Sequence, residues 1–346
     1  MMKHVSGQLR AFFALLVVAA FGLVATGCTS ANNPQESDKS ASSSTESQGE
    51  WPRTISTDDG ELTLDAQPKR IVSTSTTLTG SLLAVGAPVV ASAASVPNVK
   101  ELSDDQGFFT QWSEAAKAAG VEKLYENSSP NIEKVAEYTP DLIVVSKNSG
   151  DSVMDSVDQL RKIAPVLVID YSGTSWQDVT TKVAEATGYE ANAKKVLADY
   201  SQRVKETKEK ISVPEGTTSA FIIFGDGSGA AALTDKAPQV QILTSLGFKM
   251  AEIPDSVKGD TSMGSNRKDI IKLSNENVQK GLIGDNWVVV AADDKARSAL
   301  KDNQAFTTSP AAKAGKVYTT PGETFRIDSY SANLMLDSLE KTFAKK

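Results

Sequence analysis

The sequence predicts an α/β protein: two halves of alternating strands and helices with one long helix between them. Three observations point there. Near-continuous apolar runs recur, Asp141–Ser146 (DLIVVS) and Trp287–Ala292 (WVVVAA), as in strands covered on both faces. Stretches of helical spacing alternate with such runs in both halves, the rhythm of βα units. From Glu190 to Ile211 the chain places Ala193, Val196, Leu197, Tyr200, Val204 and Ile211 at close to helical spacing, and no Gly or Pro intervenes before Pro214. At 1.5 Å per residue such a helix spans on the order of 33 Å, about a domain's width, and reads as a rigid strut.

Residues 1–27 read as a secretory signal. Lys3 and Arg10 precede an apolar run, Ala11–Thr26, which ends at Gly27 and Cys28. A basic start, a short apolar core and small residues at the cut site are the marks of export. The run is too short to span a bilayer comfortably, which takes about 20 residues. Residues 28–50 are rich in Ser, Asn, Glu and Gln, cannot bury enough surface to offset chain entropy, and read as a flexible tether. The folded body then divides into an N-terminal lobe (51–188), an inter-lobe helix (189–213) and a C-terminal lobe (214–346).

In the first lobe, Ile71–Ser75, Val89–Ala94, Asp141–Ser146 and Val166–Ile169 read as strands. Leu78–Val85, Gln106–Ala119 and Ser152–Ile163 read as helices. In the second, Ser219–Phe224, Trp287–Ala292 and Val317–Thr320 read as strands. Val240–Leu246 reads as a helix stopped by Gly247, and Tyr330–Phe343 as the terminal helix. A weak internal echo supports two lobes of similar plan. Asn131–Val135 leads into DLIVVS much as Asn275–Val278 leads into Asp285, Asn286 and WVVV, each a short helix with an acid in its first turn.

Composition excludes much chemistry. The one His is His4 and the one Cys is Cys28, so the exported chain has no Ser-His-Asp or Cys-His nucleophile, no His-ligated metal site and no internal disulfide. No phosphate-binding G-x-x-x-x-G-K-[ST] loop occurs, and GDGSG (225–229) fits a turn better than a dinucleotide motif. The chain reads as a non-enzyme; a carboxylate-pair hydrolase is the least impossible enzyme class. Removing residues 1–27 takes away Lys3 and Arg10 and no acid, which moves the net charge from −7 to −9. That argues against nucleic-acid binding. An anionic ligand would need a local cation cluster, which can prevail because salt screens the long-range field over about 8 Å.

Several runs carry a family resemblance: PKRIVSTSTTLTGSLLAVGAPVVAS (68–92), DDQGFFTQWSEAAK (104–117), NIEKVAEYTPDLIVVS (131–146), RKDIIKL (267–273) and GETFRIDSYSANLMLD (322–337). Together they resemble the siderophore- and cobalamin-type substrate-binding proteins of ABC importers, over essentially residues 51–346. The resemblance implies two Rossmann-like lobes joined by one long rigid helix, a ligand cleft between them, and little lobe movement on binding. It implies a monomer without a cofactor that captures a ferric siderophore, of the catecholate, enterobactin-like type, and hands it to the permease dimer of an importer. Ala25-Thr26-Gly27-Cys28 resembles the lipobox of bacterial lipoproteins, which implies cleavage before Cys28, acylation of its sulfur and a lipid tie to the membrane. The alternative on the same fold is a haem or corrinoid binder; haem would need an axial ligand, and with no His the candidates are Tyr or Met, with Tyr330 near the expected cleft.

A ferric catecholate is a multiply charged anion with flat rings, so its site needs forked, stackable cations and aromatic faces. The resemblance places Phe325 and Arg326 of GETFR in the cleft and matches Arg267 to a cleft-loop Arg. Lys147 follows the DLIVVS strand where a cleft loop should begin. Thr76 and Thr77 follow the IVSTS strand and offer hydroxyl or backbone donors. Trp112 is a candidate ring, although its spacing with Phe108 also suits a helix-face core. Two positions depart from the enteric catecholate-binding pattern: Thr110 stands in place of an Arg and Leu233 in place of a Trp, which implies a less cationic pocket with one stacking surface fewer. Glu133 and Glu276, one on each lobe, match the acids that dock on the permease in this family. As first-turn acids they also suit a helix dipole, worth about 0.3–1 kcal/mol.

Overall fold

The computed structural model describes residues 49–257 and 268–345. Cys28, the expected lipobox, the expected tether as far as residue 48 and Arg267 lie outside the described residues. An antiparallel hairpin, β1 (Arg53–Thr57) and β2 (Gly60–Leu64), opens the first lobe. A parallel sheet follows, of β3 (Ile71–Ser73), β4 (Val89–Ala94), β5 (Glu122–Glu126), β6 (Leu142–Ser146) and β7 (Val166–Ile169), in the spatial order β5-β4-β3-β6-β7. Every residue of β6 is buried, as its unbroken apolar run requires. Helices α1 (Thr76–Ala84), α2 (Thr110–Ala119), α3 (Glu133–Glu137) and α4 (Val157–Leu160) connect the strands, and α5 (Trp176–Thr187) follows β7. Strand order reverses between β3 and β6, and a crevice opens at such a switch point, beyond the carboxyl ends of the strands.

Two of the expected helices are shorter than their spacing suggests. α2 begins at Thr110, not Gln106, because the Asp104 carboxylate accepts hydrogen bonds from the backbone of Gln106 and Phe108 and holds them in a loop. Within the stretch expected as a Ser152–Ile163 helix, only a short 3₁₀ turn and α4 form. The Ser152 hydroxyl instead donates to the carbonyls of Ser146 and Lys147, a local bond that competes with helix formation.

α6 (Glu190–Lys210) is the expected strut, 21 residues long. Its start is tied to the first lobe by an Arg53–Glu190 ion pair of 2.5 Å and by Asn192, which donates to the Val85 carbonyl. Its second half is tied to the terminal helix α12 (Ser329–Phe343) by Arg203, 2.6 Å from both Asp337 and Glu340.

The second lobe comprises β8 (Thr217–Ile223), β9 (Gly229–Leu233), α7 (Pro238–Leu246), β10 (Lys249–Met250), β11 (Ile270–Ser274), α8 (Val278–Gly281), β12 (Asn286–Val289), α9 (Asp294–Asp302), α10 (Gln304–Thr307), α11 (Pro310–Lys313) and β13 (Val317–Thr319) before α12. Its sheet runs β11-β9-β8-β12-β13, with β10 beside the start of β8. β8, β12 and β13 are parallel, whereas β9 and β11 are antiparallel to their neighbours. GDGSG does form a turn, and its last glycine opens β9. There φ is +144° and a Cβ would lie 2.0 Å from the Leu273 carbonyl oxygen, so only glycine fits.

The lobes also meet away from α6. The loop after β4 reaches α9, where Glu101 pairs with Arg297 at 2.6 Å and Lys100 with Asp294 at 2.8 Å. Gly322, just past β13, packs on the Glu101 backbone so closely that a Cβ would lie 2.7 Å from its carbonyl oxygen. This clasp joins the β4 side of one sheet to the β12–β13 side of the other.

Candidate functional site

The opposite flank of the cleft is open. There the ends of β3, β6 and β7 face β8, β9 and β11 across a cavity of about 300 Å³. The two walls differ in chemistry. The first lobe contributes Thr77, Ser81, Ser149, Ser172 and Thr174, together with Tyr171 and Trp176. The second contributes Ile222, Phe224, Leu233, Ile270 and Ile327, with Phe325, Arg326, Lys236 and Gln239.

Arg326 is the central cation. Its guanidinium carbon lies 4.7 Å from the Phe325 ring centre and 5.8 Å from that of Tyr171, so a ring from each lobe holds it. It forms no ion pair among the described residues. Asp328, two residues on, turns inward to cap α12, where it accepts from the Ser331 backbone at 2.9 Å. The backbone carrying Arg326 is pinned on both sides. Gln239 donates to the carbonyls of Thr324 and Phe325, and the Ser331 hydroxyl donates to that of Arg326. Lys236 pairs with Asp235 at 3.0 Å.

The residues singled out in the sequence separate into groups. Arg326, Phe325 and Thr77 come together in the cavity. Thr76 is buried beside them but faces the sheet, where its hydroxyl accepts from Asn127 at 2.8 Å. Lys147 does begin a strand-end loop, yet its ammonium donates to the Asp58 carbonyl in the β1–β2 turn and does not line the cavity. Trp112 is 1% exposed in the first lobe's core, its ring centre 5.3 Å from that of Phe108. Of the departures, Leu233 lines the cavity, whereas Thr110 is exposed at the start of α2. Tyr330 packs against the first lobe's core and does not line the cavity; burial and the nearby Asp328 push its phenol pKa up. Glu133 opens α3 and is exposed; Glu276 is exposed in the turn before α8, not inside a helix.

Two cavity-lining residues, Tyr171 and Trp176, and Asp151 behind the first of them were not singled out in the sequence. Tyr171 follows β7, where the strand-end rule points, but no neighbouring motif marks it. Its hydroxyl donates to Asp151 at 2.7 Å. Burial and the Asp151 carboxylate raise its pKa, and Arg326 partly opposes them, so it stays a neutral phenol. Asp151 is 8% exposed and also accepts from the Ser75 hydroxyl at 2.5 Å and the Thr77 backbone at 3.2 Å. Trp176 opens α5 and forms part of the cavity wall.

Comparison with known proteins agrees with this architecture. A family model described as "Periplasmic binding protein" matches residues 62–324. The ferric enterobactin-binding periplasmic protein FepB of Escherichia coli is 42% identical over 294 residues, covering 85% of this chain and 92% of that protein. The crystal structure of holo-ViuP superposes with a TM-score of 0.77 at 31% identity, covering 86% of this chain and 97% of that one. Staphylococcus aureus SirA, solved with staphyloferrin B, shares the fold at a TM-score of 0.65 and 22% identity, over 85% of this chain and all of that one. Two α/β lobes on a long helix, an inter-lobe cavity with an aromatic-flanked arginine, and a family match across both lobes make this chain a member of the periplasmic binding protein family, a substrate-binding transport protein and not an enzyme.

Proposed function

We propose that this protein captures a ferric siderophore of the catecholate type in the inter-lobe cavity and delivers it to an ABC importer while tied to the membrane by lipid on Cys28. The carrying observation is Arg326, a cation held between two aromatic rings with no carboxylate partner among the described residues. A fork-shaped cation flanked by rings suits an anion that itself carries flat rings. The iron would enter as part of its chelate, a cargo whose coordination the siderophore supplies. Among the described residues no cluster of His, Cys, Asp or Glu is placed to hold a bare metal ion. Sequence similarity to FepB supports the catecholate class. Leu233 in the wall, where the enteric pattern has Trp, favours a chelate that demands less stacking than enterobactin. The haem alternative loses Tyr330 as an axial ligand, because that residue lies outside the cavity; Tyr171 is the tyrosine that lines it.

Trp176 in the cavity wall supplies the test. The mature domain is titrated with ferric enterobactin, a ferric hydroxamate and haemin while tryptophan fluorescence is followed. Quenching at nanomolar concentration by the catecholate, and not by the other two, supports the reading. Preference for the hydroxamate or for haemin overturns the ligand class.

A further inference from the structure

We infer that Asp151 is a positioning residue of this cavity: its carboxylate fixes the Tyr171 ring, and that ring sets the direction in which Arg326 presents its guanidinium to an anionic ligand. The inference rests on the reading of the cavity as a siderophore site and adds the residue that organises it.

The N-terminus of α1 is where an anionic ligand would ordinarily find backbone donors, and the sequence offered Thr76 and Thr77 there. That place is already taken. The Thr77 N–H donates to Asp151 at 3.2 Å, and Ser75, the N-cap of α1, donates its hydroxyl to the same carboxylate oxygen at 2.5 Å. The helix end thus stabilises a protein carboxylate instead of the ligand's charge. The other carboxylate oxygen accepts from the Tyr171 hydroxyl at 2.7 Å. Among the described residues Asp151 has no cationic partner, and of its donors here only the Tyr171 hydroxyl belongs to a side chain that also faces Arg326.

The arrangement is held under strain. Ser149, two residues before Asp151, has φ at +80°, a left-handed conformation that is unfavourable for a non-glycine residue and persists only where the surroundings enforce it. The loop is braced by Ser152, which donates to Ser146 and Lys147, and by Asn148, which donates to Asp170 at 2.8 Å.

Two consequences follow for the cavity. A phenol that donates to a carboxylate has a more electron-rich ring, which strengthens its pull on the guanidinium 5.8 Å away. With the helix end occupied, Arg326 carries the charge recognition on this flank.

The test compares wild type, D151N, Y171F, R326Q and the D151N/Y171F pair. Titrations use ferric enterobactin, a multiply charged anion, and ferrichrome, an uncharged ferric hydroxamate. D151N is expected to weaken the anionic chelate about tenfold, the scale of one hydrogen bond to a charged group, with any ferrichrome binding changed less than about twofold. In the Y171F background the D151N loss should vanish, since the carboxylate acts through the phenol. An equal loss in both backgrounds, or an equal loss for both chelates, makes Asp151 only a cap for α1 and overturns the inference.

A second readout needs no ligand. The Arg326 Nε–H signal in ¹⁵N NMR, assigned by its loss in R326Q, should shift and broaden in D151N and in Y171F. An unchanged signal in either variant overturns the inference. If wild type binds neither chelate, the siderophore reading fails and this signal still decides the positioning role. Should D151N not fold, Y171F carries the same comparison.

Discussion

Asp328 is an acid enclosed on all sides, 3% exposed, at the point where α12 leaves the cavity. Burial raises its pKa from 3.8 to about 6, against the opposing bonds from Ser331. An acid whose folded pKa lies above its unfolded one contributes most while protonated. Its contribution is fully present below about pH 4 and is lost as pH rises through about 6. Asn is an equally good N-cap and does not ionise. D328N should therefore match wild type near pH 4 and exceed it above pH 6, by up to about 3 kcal/mol for a shift of this size. Urea denaturation at intervals from pH 4 to pH 8 reads this directly; a constant difference over that range would mean that Asp328 ionises as an ordinary surface acid. The same residue shows what the sequence could tell. GETFRID marked Phe325 and Arg326 through their run, because ligand contacts there are local in sequence. Tyr171 and Asp151 stayed hidden because their meaning is a contact between two loops that no local pattern records.

At the scale of elements, apolar runs and helical spacing located β4, β6, β7, α6, α7 and α12 closely. They failed where side chains compete with backbone, as in the truncated α2 and α4, and where strands lack large residues. β9 reads GAAAL, with no β-branched residue, so no strand signal was visible before its partners β8 and β11 were. Gly80 in α1 is another case. In a helix interior Ala is normally favoured over Gly by about 1 kcal/mol, so propensity alone advises G80A. The packing reverses the sign: a Cβ at Gly80 would lie 2.3 Å from the Asp328 carboxylate and 2.9 Å from the Trp112 ring. Neither neighbour can withdraw, since Asp328 caps α12 and Trp112 is sealed against Phe108. G80A should lower stability by about 1–3 kcal/mol, the usual cost of overpacking, and thermal melts would show it. A rise in melting temperature would mean that α1 shifts freely against α12.

For the whole molecule, α6 at one side and the Glu101–Arg297 clasp at the other fix the distance between the lobes. Of the two clasp pairs, Glu101 and Arg297 are 23% and 35% exposed, whereas Lys100 and Asp294 are 71% and 65% exposed. Solvent screens the second pair far more, so R297A should cost about 1 kcal/mol and raise hydrogen exchange in the 95–104 loop, while K100A leaves both almost unchanged. Equal effects would deny that burial ranks the pairs. A frame so braced holds surface groups of the two lobes at a fixed separation, and Glu133 and Glu276, the acids expected to dock on a permease, are such groups. They sit on different lobes, both exposed, and neither forms an ion pair among the described residues. Their environments separate docking from helix stabilisation. Glu133 opens α3, where an acid is worth about 0.3–1 kcal/mol, but Glu276 lies in a turn ahead of the short α8 and has no such role. If both acids dock, E133K and E276K should each reduce siderophore-dependent iron uptake in cells, and the double variant should abolish it while chelate affinity stays at the wild-type value. If they serve helices alone, E133K should lower the melting temperature slightly, E276K should change nothing, and uptake should survive both, an outcome that would move the permease contact elsewhere on the molecule.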